Sequence, residues 1–159
     1  MAGEGLPARK RLFHDVPTWV ADGALFFITV IFAERGQAQL TDPETSIGLL
    51  EAAARYHDEG KWQVSVFLLM PDHWHGLISF PRDAALEKPL RDWKRFTGRR
   101  FAIRWQSGFF DHRLRDRNEV EAKARYILHN PVRKGLCAEP GDWPHQLRGS
   151  ADGCLIGRW

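Results

Sequence analysis

Two histidines separated by one hydrophobic residue, His73-Trp74-His75, stand among β-forming residues, with Val64, Val66 and Phe67 before them and Ile78 and Phe80 after. Alternation along a strand puts His73 and His75 on one face and turns Trp74 to the other, into packing. The two Cα atoms then lie roughly 6.5–7 Å apart, close enough for both imidazoles to share one cation. Taken alone, the pair also reads as two solvent-facing histidines. A second feature is Tyr126-Ile127-Leu128-His129-Asn130-Pro131-Val132. The spacing places it on a helix opened by Asn118 as N-cap, with Glu121 completing a capping box. Val120, Ala124, Ile127 and Leu128 form one apolar stripe, while Tyr126 and Asn130 lie off it, one turn apart. Asn130 therefore reaches whatever Tyr126 touches. Pro131 disfavours helical geometry at Asn130 and predicts a frayed last turn.

The elements that must position these residues follow from periodicity. The run Ala24–Ala33 is short, apolar and rich in β-formers, which predicts a buried central strand. Thr41-Asp42-Pro43-Glu44 reads as a capping box with proline in the first turn. The helix it opens directs Ile47, Leu50 and Ala54 to the core and ends near Gly60. Strands follow at Trp62–Met70 and His73–Phe80, joined tightly at Pro71-Asp72. A second helix spans roughly Ala84–Ile103, with Leu90, Trp93 and Phe101 inward and Arg91, Lys94, Arg95, Arg99 and Arg100 outward. Phe109–Leu114 is a short strand before the tyrosine helix. The order β-α-β-β-α-β plus a helix predicts an α+β fold of the ferredoxin-like split βαβ type. Its antiparallel sheet carries helices on one face, and the C-terminal helix bears the tyrosine.

Composition sets the outer bounds. The length of 159 residues fits one domain with a real core. No apolar run approaches the roughly 18 residues of a membrane span, and no signal-peptide pattern stands at the start. Cys137 and Cys154 match no metal spacing and suit a reducing cytoplasm, the expected location, beside the nucleoid of a prokaryote. Charge is uneven: residues 86–135 hold 14 Lys and Arg against 6 Asp and Glu, while the rest holds 9 against 14. A basic second half suggests a polyanion partner, with a solvated helix surface as the plain alternative. The absence of P-loop, GxSxG and HExxH patterns argues against an NTPase, an α/β hydrolase and a zincin.

These motifs resemble those of the single-tyrosine HUH transposases, and most closely the REP-associated tyrosine transposases. Met70-Pro71-Asp72-His73-Trp74-His75 is similar to the family's His-hydrophobic-His motif in its usual setting. Tyr126-Ile127 with Asn130-Pro131-Val132, continued by Arg133-Lys134-Gly135-Leu136, is similar to its tyrosine motif. Trp105–Arg113 is similar to the segment between them. The resemblance runs from about Leu25 to Trp143, then departs at Pro144-His145-Gln146-Leu147, where a serine-rich continuation is usual. It implies the same ferredoxin-like fold. Mixed charge and two prolines without periodicity at 1–22 predict a mobile lead-in, followed by an expected catalytic domain at 23–136 and a tail at 137–159.

A hard cation such as Mg²⁺ or Mn²⁺ accepts imidazole and amide oxygen, so His73, His75 and Asn130 are the candidate ligands. Tyr126 is the candidate nucleophile; the only other tyrosine, Tyr56, sits in the first helix without a motif. The resemblance implies a covalent 5′-phosphotyrosine, a free 3′ hydroxyl and single-stranded or hairpin DNA as substrate, for a monomer or homodimer. Candidate DNA contacts are Arg91, Lys94, Arg95, Arg99, Arg100, His112, Arg113, Arg133 and Lys134. His112 reads equally as structural, and Arg133 and Lys134 equally as compensating the helix dipole. His129 faces solvent. Arg9-Lys10-Arg11 reads as a solvated terminus that could graze phosphate. Trp19, Trp93, Trp105 and Trp143 are candidate base-stacking platforms, with core packing the default for each. Two other readings stand: a non-catalytic nucleic-acid-binding domain of this fold, and a protein holding zinc structurally.

Overall fold

The computed structural model describes residues 24–34, 37–81, 86–150 and 153–157. The expected lead-in at 1–22, with Arg9-Lys10-Arg11 and Trp19, lies outside these residues, as does the expected start of the second helix at Ala84. The elements are β1 (Leu25–Ile31), α1 (Pro43–Asp58), β2 (Gln63–Met70), β3 (His73–Ser79), α2 (Glu87–Phe101), β4 (Phe110–Leu114), α3 (Arg117–Arg133), β5 (Gln146–Gly149) and β6 (Leu155–Gly157). They form one antiparallel sheet in the order β4-β1-β3-β2-β5-β6. The first four strands have the ferredoxin-like order expected of a split βαβ unit.

Alternation sorts each strand between two cores. On one face Ile28, Val30, Phe67, Leu69, Trp74 and Ile78 pack against Leu49, Leu50 and Ala53 of α1 and Leu90 and Trp93 of α2. Trp74 is fully buried and stacks on Phe67 with ring centroids 4.5 Å apart. On the other face Phe27, Val66, Leu68, Met70 and Leu77 pack against Ala124 and Ile127 of α3, with Val120 and Leu128 at the margin. The predicted apolar stripe of the tyrosine helix is thus the stripe that docks. Among the described residues, no helix is long and apolar enough to cross a membrane.

Several local expectations are corrected. Asp42, not Thr41, caps α1 by accepting from the Thr45 amide, with Pro43 in the first turn. Ile47 is 41% exposed rather than buried, because α1 presents Leu49, Ala53 and Tyr56 to the sheet. α2 stops at Phe101, before Ile103: Ala102 adopts a left-handed conformation and returns Ile103 to the core. Asp116, not Asn118, caps α3, accepting from the Glu119 amide at 3.0 Å. The Glu119 carboxylate accepts in turn from the Arg115 amide at 2.6 Å. α3 also runs through Pro131 to Arg133 rather than fraying at Asn130. Proline forfeits only one amide near the helix end, and Pro131 is buried, so packing offsets that loss.

The chain after Trp143 extends the sheet rather than trailing from it. The Trp143 indole donates to the Leu69 carbonyl at 2.8 Å, and the Leu69 amide donates to the His145 carbonyl at 2.8 Å. β5 then pairs with β2 beside a register shift between Val64 and Val66. There Gly149 lies so close that a Cβ would sit 2.6 Å from the Val64 oxygen, so only glycine fits.

Candidate active site

β3 presents both histidines to the α3 side of the sheet. Each ring is turned by a hydrogen bond at Nδ1. Asp72, in the β2–β3 connection, holds His73 at 2.8 Å, and the Thr29 hydroxyl of β1 holds His75 at 2.8 Å. Phe27 stacks beneath His75 with ring centroids 5.3 Å apart. The two Nε2 atoms thereby converge to 3.2 Å. Nitrogens that close need a hydrogen carried by one of them, or a cation, between their lone pairs. Burial, with His73, Lys123 and Arg133 nearby, pushes His75 down to about 3. It is neutral at ordinary pH and keeps a lone pair to donate.

α3 brings the tyrosine to this pair. Its apolar side is buried at Ala124 and Ile127, which leaves Tyr126 45% exposed beside the histidines. The Tyr126 ring lies 5.9 Å from that of His75 and 6.1 Å from that of Phe27. Two cations flank it: the Arg133 guanidinium lies 4.6 Å from the ring centroid and the Lys123 ammonium 5.4 Å. Arg133 also donates to the Tyr126 carbonyl at 2.8 Å, which fixes it over the ring. Asn130, one turn on, is 5% exposed. Tyr56 is buried against Trp62 in the other core, where desolvation raises its pKa.

The donor set fits a hard cation. Each imidazole has its second nitrogen held by an oxygen, which sets ligand orientation, and the acceptor carboxylate of Asp72 also sets the His73 tautomer. An amide oxygen is a donor such ions accept, and Asn130, buried one turn from Tyr126, is the candidate to offer one. Among the described residues no group of three or more His, Cys, Asp or Glu is arranged to hold a metal ion by itself. A closed structural zinc site requires four such ligands, so that reading lacks its donors there.

The remaining candidates divide between the faces. His112 pairs with Phe27 in register, on the tyrosine side, and contacts Glu119 at 3.2 Å. Arg113 pairs with Phe26 and points away from the site. Arg133 belongs to the cluster; Lys134 caps α3 and is exposed. His129 is exposed, its Nδ1 3.0 Å from the Arg125 carbonyl. Arg91, Arg95, Arg99 and Arg100 are exposed on α2, across the sheet from the histidines, and are not brought to them. Lys94 of the same helix donates to the Gln106 carbonyl at 2.7 Å, a structural task. Trp93 and Trp143 are buried, and Trp105, half-buried, donates to Thr97 at 3.0 Å. A groove of about 660 Å³ lies between α1 and α2 and mixes acidic Glu44 and Glu51 with basic Arg55 and Arg99. It is remote from the histidines. No sequence expectation gives Thr29, Phe27 or Lys123 a place in the site. Thr29 was visible as the one polar side chain of an apolar strand, and Lys123 as the cation one turn before Tyr126.

No family model matches the chain. It is 26% identical over 142 residues to a Haemophilus influenzae protein provisionally named a REP-associated tyrosine transposase, covering 77% of this chain and 78% of that one. It is 24% identical over 125 residues to the REP-associated tyrosine transposase of Escherichia coli, covering 77% and 74%. Among solved structures, a REP-associated tyrosine transposase bound to a REP hairpin has the same fold, with a TM-score of 0.69 at 23% identity over 82% of this chain and 80% of that one. In sequence over three quarters of its length, and in fold, this chain is similar to REP-associated tyrosine transposases.

Proposed function

We propose that this protein cuts and rejoins single-stranded or hairpin DNA, with Tyr126 as nucleophile and His73, His75 and Asn130 as ligands of Mg²⁺ or Mn²⁺. One observation carries the reading: the solvent-facing tyrosine ring stands 5.9 Å from one of two histidines whose Nε2 atoms converge. The Tyr126 oxygen attacks the scissile phosphorus, gives up its proton, and forms a phosphotyrosine on the 5′ side. The departing 3′ oxygen takes up a proton and leaves as a hydroxyl. Reversal, with a 3′ hydroxyl attacking the phosphotyrosine, rejoins strands without a nucleotide cofactor. Lys123 and Arg133 draw the phosphodiester to the ring and offset the charge that builds on its oxygens. A cation held by the histidines and Asn130 supplies Lewis-acid stabilisation to the same oxygens when bound. The α2 arginines act at longer range, through attraction of the polyanion.

The names of the related proteins and the hairpin in the related structure support hairpin DNA as the partner. The test is incubation of an end-labelled hairpin with the protein and Mn²⁺, with and without EDTA. Cleavage lost on chelation and restored by added Mn²⁺ is expected; undiminished cleavage under chelation would contradict the metal assignment.

A further inference from the structure

We propose that Phe110 is a platform on which an unpaired nucleobase beside the scissile phosphate stacks. The inference rests on the strand-cutting function proposed above. Phe110 is 58% exposed, the most exposed aromatic side chain among the described residues. It opens β4, an edge strand, opposite Thr29, and Thr29 is opposite His75, so the three occupy one row across the sheet. Thr29 turns its hydroxyl onto His75, so the row faces the candidate active site. The Phe110 ring meets Phe27 edge to face at 6.1 Å, and Phe27 meets both His75 and Tyr126.

A phenylalanine left this open forfeits most of its hydrophobic gain, so core packing does not account for it. The cations supply the complementary part: Lys123 lies 4.7 Å from the Phe27 ring centroid and Arg133 4.6 Å from that of Tyr126. A strand whose phosphates follow these cations has a flat apolar surface beside it for a base. Inside a duplex both faces of a base are covered by its stacked neighbours, so the platform favours substrates unpaired at this point. Among the described tryptophans named as stacking candidates, Trp93 and Trp143 are buried and Trp105 is half-buried with its indole bonded to Thr97.

The test is a binding series with full-length protein and single-stranded oligonucleotides, each carrying one abasic position. Phe110→Ala weakens binding to the intact strand by about tenfold, and Phe110→Trp retains it. On the strand lacking the stacked base, wild type and Phe110→Ala bind alike. Phe110→Leu, which keeps apolar bulk without the ring, behaves as alanine does and separates stacking from packing should alanine unfold the edge. Rescue by leucine, or equal losses at every abasic position, overturns the proposal. A change in particle mass with DNA binding unaltered overturns it too, marking a contact between copies. If wild type cuts DNA and Phe110→Ala cuts and binds equally well, Phe110 alone is wrongly assigned. If wild type neither binds nor cuts, the functional reading falls, and this one with it.

Discussion

Thr29 is a single hydroxyl in an apolar strand, and it decides where a histidine on the neighbouring strand points. Its bond to His75 Nδ1, with that of Asp72 to His73, turns both Nε2 atoms to one place. Thr29→Val keeps shape and strand preference but removes the hydroxyl. It is expected to weaken Mn²⁺ binding by about 10- to 100-fold in calorimetric titration, with little change in thermal stability. Unchanged affinity would mean that Phe27 stacking alone orients the ring. The histidines were legible because a two-residue period fixes their common face whatever the fold. Tyr126 was legible because three positions of its helix define an apolar stripe it avoids. Thr29, Phe27 and Lys123 were not, because their roles depend on which strands become neighbours and in what register.

The tyrosine helix shows how far element-level reading reaches. Its existence and docking side followed from Val120, Ala124, Ile127 and Leu128, yet its cap was misplaced by two residues. Both Asp116 and Asn118 have a glutamate three positions on, so the local pattern is degenerate. The choice falls to Asp116 because Glu119 also accepts from the Arg115 amide and contacts His112 of β4. Asp116→Ala is therefore expected to cost about 1 kcal/mol in denaturant unfolding, while Asn118→Ala costs almost nothing. The reverse order would restore the sequence-based cap. The two C-terminal strands are illegible in the sequence for a different reason. Gln146–Gly149 and Leu155–Gly157 are too short to display a period, and β5 forms because the edge of β2 awaits a partner. Ile47 departs from its expected burial because the sequence of α1 alone does not fix which side the sheet covers.

At the scale of the molecule the sheet separates two surfaces. One holds the histidines, Tyr126, Lys123 and Arg133; the other holds α1, α2 and the α2 arginines. The basic second half of the sequence is thus shared between faces rather than gathered at one. Each is expected to affect a different quantity. Replacing Arg95, Arg99 and Arg100 with Gln lowers DNA affinity and flattens its salt dependence, by about 0.7 in slope for each lost phosphate contact on a single strand. The cleavage rate at saturating DNA stays near that of wild type. Lys123→Gln or Arg133→Gln lowers the rate itself; equal effects from both sets would argue against a division of labour. The central claim is that Tyr126 is the nucleophile, and the covalent product tests it most directly. Wild-type protein with Mn²⁺ and a hairpin labelled on the 3′ side of the cleavage site is expected to give a labelled protein band on a denaturing gel. Tyr126→Phe keeps the ring and its contacts, and should bind the hairpin yet yield neither band nor cleavage. Full cleavage by Tyr126→Phe, with no covalent band from either protein, would contradict the account and point to a water-activating nuclease.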